Sequence, residues 1–99
     1  MSDVPIDPSD LPEILEAEWG NDLMMELFSD LKNGAEVSHV QLRTANGDAA
    51  VSLEQARDAF LAGTAKAIQI RYRFEGESWS DTIMPGEPTT RIIRTKMLV

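Results

Sequence analysis

Residues 68–84, IQIRYRFEGESWSDTIM, read as two strands joined by a tight turn, and this hairpin decides the class of the fold. Ile68, Ile70, Tyr72 and Phe74 alternate with Gln69, Arg71 and Arg73, which is the period of a strand with one buried face. Residues 75–78, EGES, supply the turn, and WSDTIM returns the chain. With a loop of two or four residues, Trp79, Asp81 and Ile83 share the face of Ile70, Tyr72 and Phe74. Arg71 and Arg73 then share the opposite face with Ser80 and Thr82. The hairpin thus has two chemically different surfaces, an aromatic cluster that includes a carboxylate and a basic side.

A second turn, PGEP, leads into a last strand, RIIRTKMLV, over 91–99. Taking Ile93, Thr95, Met97 and Val99 as its buried set places Arg94 and Lys96 on the basic face. Arg71, Arg73, Arg94 and Lys96 are therefore the candidate partner-binding surface, suited to an acidic protein segment, a phosphate or a carboxylate. The competing reading is a plain solvated face, whose exposed ion pairs contribute about 0–1 kcal/mol each. Tyr72, Trp79 and Asp81 are the candidate pocket. Burying an unpaired carboxylate costs several kcal/mol. Asp81 must therefore either tie the hairpin down through hydrogen bonds or serve as a functional carboxylate facing a ligand.

Upstream, residues 37–53, VSHVQLRTANGDAAVSL, predict another hairpin around Asn46 and Gly47, the preferred pair for a two-residue type I′ turn. Pairing Ala45 with Asp48 sets Leu42 opposite Val51 and Val40 opposite Leu53, and turns His39, Gln41 and Arg43 the other way. Ser52 caps a helix that follows, with Gln55 completing a capping box. Leu53, Ala56, Phe60 and Leu61 face inward along it, and Gly63 supplies the left-handed stop.

The N-terminal third predicts helix. Ser9 or Asp10 fits an N-cap, Pro12 the first turn, and Leu11, Ile14, Leu15 and Trp19 recur at helical spacing. Gly20 interrupts, Asn21 or Asp22 restarts, and Leu23, Met24, Leu27, Phe28 and Leu31 continue the stripe to Gly34. Residues 1–8 read as a flexible lead-in to a single domain over 9–99. The order is helical N-terminus, β-hairpin, helix and three-stranded antiparallel meander. It predicts an α+β fold, a two-layer sandwich, with a β-grasp-like arrangement as the alternative.

Composition narrows the chemistry. Ninety-nine residues with 42% hydrophobic and 26% charged composition suit one globular domain. The net charge is −8, and it is polarised: the first 31 residues hold nine acids and no base, which leaves eight acids and all nine bases for the rest. That balance argues against nucleic-acid backbones or anionic membranes as partners and leaves another protein as the expected one. Glu13, Glu16, Asp22, Glu26 and Asp30 can line a helix as an acidic stripe, the feature of a nucleic-acid mimic or a secretion-chaperone-like protein. An ordinary polar helix face explains them equally.

There is no cysteine and His39 is the one histidine, so no thiolate or multi-histidine metal site forms. His39 and Ser38 are adjacent in a strand and point apart, and neither a G-x-G-x-x-G nor a Walker A pattern occurs. No cofactor, metal site or catalytic residue is expected. The start lacks a basic segment followed by an apolar one, and no apolar run is long enough to span a membrane, which predicts a cytoplasmic protein. The resulting expectation is a small non-enzymatic interaction or accessory module. The alternative is a small-molecule-binding protein or minor enzyme subunit with its pocket near Tyr72, Trp79 and Asp81.

Overall fold

A computed structural model describes residues 14–97. It is a small α+β domain with a six-stranded antiparallel sheet and two helices. In chain order the elements are β1 (Ile14–Trp19), α1 (Asn21–Gly34), β2 (Glu36–Thr44), β3 (Gly47–Ala50), α2 (Leu53–Ala62), β4 (Ala67–Phe74), β5 (Glu77–Met84) and β6 (Thr90–Met97). The strands lie in the order β1-β6-β5-β4-β2-β3. Among the described residues every neighbouring pair is antiparallel.

The opening hairpin forms as its alternation requires. Tyr72 pairs with Trp79, Ile70 with Asp81 and Ile68 with Ile83, so these six share one face, here called inner. The turn is Glu75–Gly76, and both residues take positive φ, 52° and 79°. That backbone suits the right-handed twist of a two-residue hairpin.

The β2–β3 hairpin also forms, but its register differs from the expected one. Thr44 pairs with Gly47 and Leu42 with Ala49, so the turn is Ala45–Asn46 and Gly47 alone takes positive φ, at 116°. The Asn46 N–H donates to Thr44 Oγ1 at 3.2 Å. Relative to the Asn46–Gly47 turn, each partner has moved by two residues, which preserves the pleat. Val40 and Leu42 still point inward, buried. A bulge between Val37 and His39 adds Ser38 to β2, and it lets Val37 and Val40 share the inner face although they are three residues apart.

Helix α2 follows the sequence closely. Ser52 Oγ accepts from the Gln55 N–H at 3.0 Å, and the Gln55 side chain accepts from the Ser52 N–H at 2.9 Å. Gly63 closes the helix at φ 76°. Ala56 and Phe60 are buried, whereas Leu61 is exposed on the far side. Helix α1 buries Met24, Leu27, Phe28 and Leu31, and the Phe28 and Phe60 rings meet at 5.9 Å to join the two helices. One hydrophobic cluster unites these residues with Val40, Leu42, Ile68, Ile70, Tyr72, Ile83 and Ile92. Every strand residue in it lies on the inner face.

Two further expectations fail. Residues Ile14–Trp19 are strand, not helix, and pair with β6 from Ile14↔Thr95 to Trp19↔Thr90. The segment ILEAEW carries both periods. Leu15, Ala17 and Trp19 alternate with Glu16 and Glu18, and an open sheet edge rewards the two-residue period over the helical one. The helix start expected at 9–13 and the lead-in at 1–8 lie outside the described residues.

The second failure is the parity of β6. Thr90 and Ile92 are its inner residues, each 2% exposed, while Ile93 sits half-buried on the outer face. Arg94 and Lys96 therefore point inward.

The turn conformation at Glu75 favours asparagine, which enters the left-handed region more readily than glutamate. Glu75→Asn is expected to raise stability by about 0.5 kcal/mol, read as a higher urea midpoint with an unchanged slope.

Candidate functional site

The hairpin's aromatic cluster and its carboxylate form a connected network on the inner face. Asp81 is completely buried in the middle of the sheet. Its cross-strand neighbours are Ile70 on β4 and Arg94 on β6. Arg94 Nε donates to Asp81 Oδ1 at 2.9 Å and Nη2 donates to Oδ2 at 2.8 Å, the two-pronged geometry that suits a carboxylate best. The Tyr72 hydroxyl donates to Asp81 Oδ1 at 3.0 Å. Among the described residues no buried side-chain polar atom lacks a partner, so the charge sits in the core fully satisfied.

Each member answers to the others. Burial and the adjacent Asp81 carboxylate push the Tyr72 phenol well above its usual range. Hydrogen bonding to Asp81 raises Arg94 further above its ordinary value. Asp81 takes two of the five N–H donors that a guanidinium offers. The Arg94 side chain is 30% exposed, and it reaches from the buried carboxylate to the surface.

Where Arg94 emerges, a cleft of about 300 Å³ runs between α1 and the sheet. Leu23, Leu27 and Leu31 form its helical wall, with Glu26 and Asp30 beside them on the same helix. Trp19, Tyr72, Phe74 and Arg94 form the sheet side. Residues 23, 26, 27, 30 and 31 recur at helical spacing, so this wall is a single face of α1 roughly 12 Å long. Leu23 is 46% exposed and Phe74 44%. Leu15, also exposed, faces Arg94 in register on β1. Glu26 and Asp30 make no ion pair among the described residues. The cleft is apolar along its length, acidic on the helix side and cationic at its floor.

The structure separates the four expected partner-binding residues. Arg71 and Arg73 are exposed on the outer face opposite Ser80 and Ser78, and neither makes an ion pair among the described residues. Arg94 is committed to Asp81 on the inner face. Lys96, opposite Trp79, pairs with Glu77 at 2.8 Å. The pocket residues fare differently. Tyr72 lines the cleft, Asp81 lies beneath it holding Arg94, and Trp79 packs half-buried against the core without lining the cleft. Leu23 and Phe74, the exposed apolar residues of the site, read in sequence as ordinary core positions.

His39 is exposed on the outer face, its Nε2 3.0 Å from Gln41 Oε1. Among the described residues no group of three or more histidine or acidic side chains is placed to hold a metal ion. No described helix is long and apolar enough to cross a membrane. Comparison of the chain with protein-family models, curated proteins and solved structures returns no match, so its site is argued from its own geometry.

Asp81→Ala strands the Tyr72 hydroxyl and the inward end of Arg94. It is expected to cost about 3 kcal/mol, the low end for breaking a buried pair because Arg94 can reach water. Asp81→Leu combined with Arg94→Met is expected to recover most of that loss in urea denaturation.

Tyr72 is the sole tyrosine, so absorbance at 295 nm reads its ionisation directly. Its folded pKa lies above the unfolded value of 10.0, so its contribution to stability is fully present below pH 10 and falls as pH rises beyond it. The phenol is expected to stay protonated until the protein unfolds in alkali; a reversible titration centred near 10 in folded protein would break this account.

Proposed function

We propose that this chain is a non-enzymatic binding module that receives a segment of another protein in the cleft between α1 and the inner face of the sheet. We read the domain as two layers, with the cleft at the margin where the helices stop covering the sheet. The observation that carries the proposal is the placement of Leu23 and Phe74. Two large apolar side chains stand nearly half exposed on opposite walls of one cleft, next to an arginine held rigid from below. Exposed apolar groups gathered around a concave, polar-rimmed surface mark interaction sites. An arginine doubly bonded to a buried carboxylate offers a fixed donor rather than a mobile charge.

The acids Glu26 and Asp30 add a preference. They favour a segment that carries apolar side chains toward the cleft and a basic residue toward α1. The chain's net charge of −8 steers basic partners in the same direction. A small-molecule site near Tyr72 is the second reading, and the cleft volume favours it to the extent that about 300 Å³ is the lower bound for such sites. The third arrangement, an acidic segment on the outer face, rests on Arg71 and Arg73 having no carboxylate partner among the described residues.

These surfaces are separable by mutation. Leu23→Ser with Phe74→Ser is expected to abolish capture of the partner from native lysate, while stability changes by about 1 kcal/mol or less. Arg71→Glu with Arg73→Glu is expected to leave capture intact. The reverse pattern would move the site to the outer face. Loss of capture in neither pair, together with tryptophan quenching by a metabolite fraction, would favour the small-molecule reading.

A further inference from the structure

The two edges of the sheet are built differently, and only one is closed to further pairing by its own sequence. At one end β3 has four residues, Gly47–Ala50, all exposed, with glycine, aspartate and two alanines offering little to pack against. At the other end β1 has six residues with no proline and no lysine, and its only charges are Glu16 and Glu18 on one face, which guard against an acidic strand but not a basic one. In an antiparallel pair alternate residues turn their N–H and C=O groups toward the neighbour, and the others turn them away. Half of β1 therefore directs its backbone groups outward, and among the described residues no strand pairs with that edge.

The side chains along β1 state what could pair there. Its inner face presents Leu15, Ala17 and Trp19, and its outer face Ile14, Glu16 and Glu18. Ile14 and Leu15 are 62% and 57% exposed, so an added strand gains apolar cover on both faces. Glu16 is paired with Arg91 at 3.0 Å and Glu18 accepts from Thr89 at 3.0 Å, yet the strand itself carries two acids and no base. A second copy of this chain is a poor occupant. The two antiparallel registers that overlap most of β1 set Glu16 opposite Glu18, or opposite itself, on the outer face, where like charges destabilise. The same two acids reward a strand that brings lysine or arginine at alternate positions.

We propose that the free edge of β1 accepts an extended segment of a partner protein as a seventh strand. The segment has basic residues alternating with apolar ones, the bases aligned with Glu16 and Glu18 and the apolar side chains beside Leu15 and Ala17. Main-chain hydrogen bonds supply the attachment, and the alternation supplies the selection. The proposal does not depend on the cleft along α1.

The probe is a fluorescein-labelled peptide of alternating lysine and valine, titrated into the full chain by anisotropy, with amide hydrogen exchange followed by NMR. Binding is expected to weaken at least tenfold in each of three controls. The first replaces the lysines by glutamates. The second N-methylates the central backbone, which removes donors but keeps charge and side chains. The third is the Glu16→Lys/Glu18→Lys protein. Alternate amides of β1 are expected to exchange fast in the free protein and to gain protection with peptide.

Equal binding of the N-methylated peptide would reduce the effect to charge adsorption and overturn the proposal. So would a dimer by light scattering with β1 already protected, since a second copy would hold the edge. A peptide-free monomer with every β1 amide protected would likewise overturn it, by showing that the chain covers its own edge.

Discussion

The register at the centre of the sheet turns on a carboxylate placed where carboxylates are expensive. Asp81 sits with no exposed surface in the central part of the sheet, and its neighbours across the strands are Ile70 and Arg94. Taken alone it would cost several kcal/mol to bury. Two N–H donors of Arg94 and the Tyr72 hydroxyl offset that cost, and together they stitch β4, β5 and β6 at one level of the sheet. The arrangement constrains register more than it adds stability. Sliding β6 by one residue against β5 would put an isoleucine or a threonine opposite the charge and leave it orphaned. The network contributes uniqueness, while the hydrophobic residues around it supply the bulk of the driving force.

The same network explains what could and could not be read from the sequence. Short-range signals were legible. The Ser52–Gln55 box, the glycine stop at Gly63 and the inward set of β4 and β5 each depend on residues a few positions apart. The β2–β3 register was half legible. Asn46-Gly47 and the turn actually used, Ala45–Asn46, differ by a slip that leaves the pleat unchanged, so alternation alone does not distinguish them. The strand β1 was hidden because ILEAEW satisfies a helix and a strand equally well. Its state is set by β6, some 75 residues away in sequence.

The parity of β6 was the costliest ambiguity. RIIRTKM has two consecutive isoleucines, so either face can claim one of them. The deciding information lay in Asp81, which needs a cation on its own face; Ile92 inward supplies Arg94 there, whereas Ile93 inward would not. That one choice splits the expected basic surface in two. Arg71 and Arg73 remain outside, while Arg94 and Lys96 join the side with the cleft. The cleft was less accessible still, because nothing local marks Leu23 or Phe74 as standing outside the core.

The inequality of the two sheet edges bears on assembly. A contact between unlike surfaces propagates without limit when both surfaces are receptive and the rotation between copies does not close. In this chain one rim is six residues long and the other four, small and exposed. A molecule with a single adhesive rim terminates whatever it joins. A strand added at β1 becomes the new outer strand on that side while β3 still bounds the other, so copies of this chain do not offer one another the two receptive rims from which a fibre would grow.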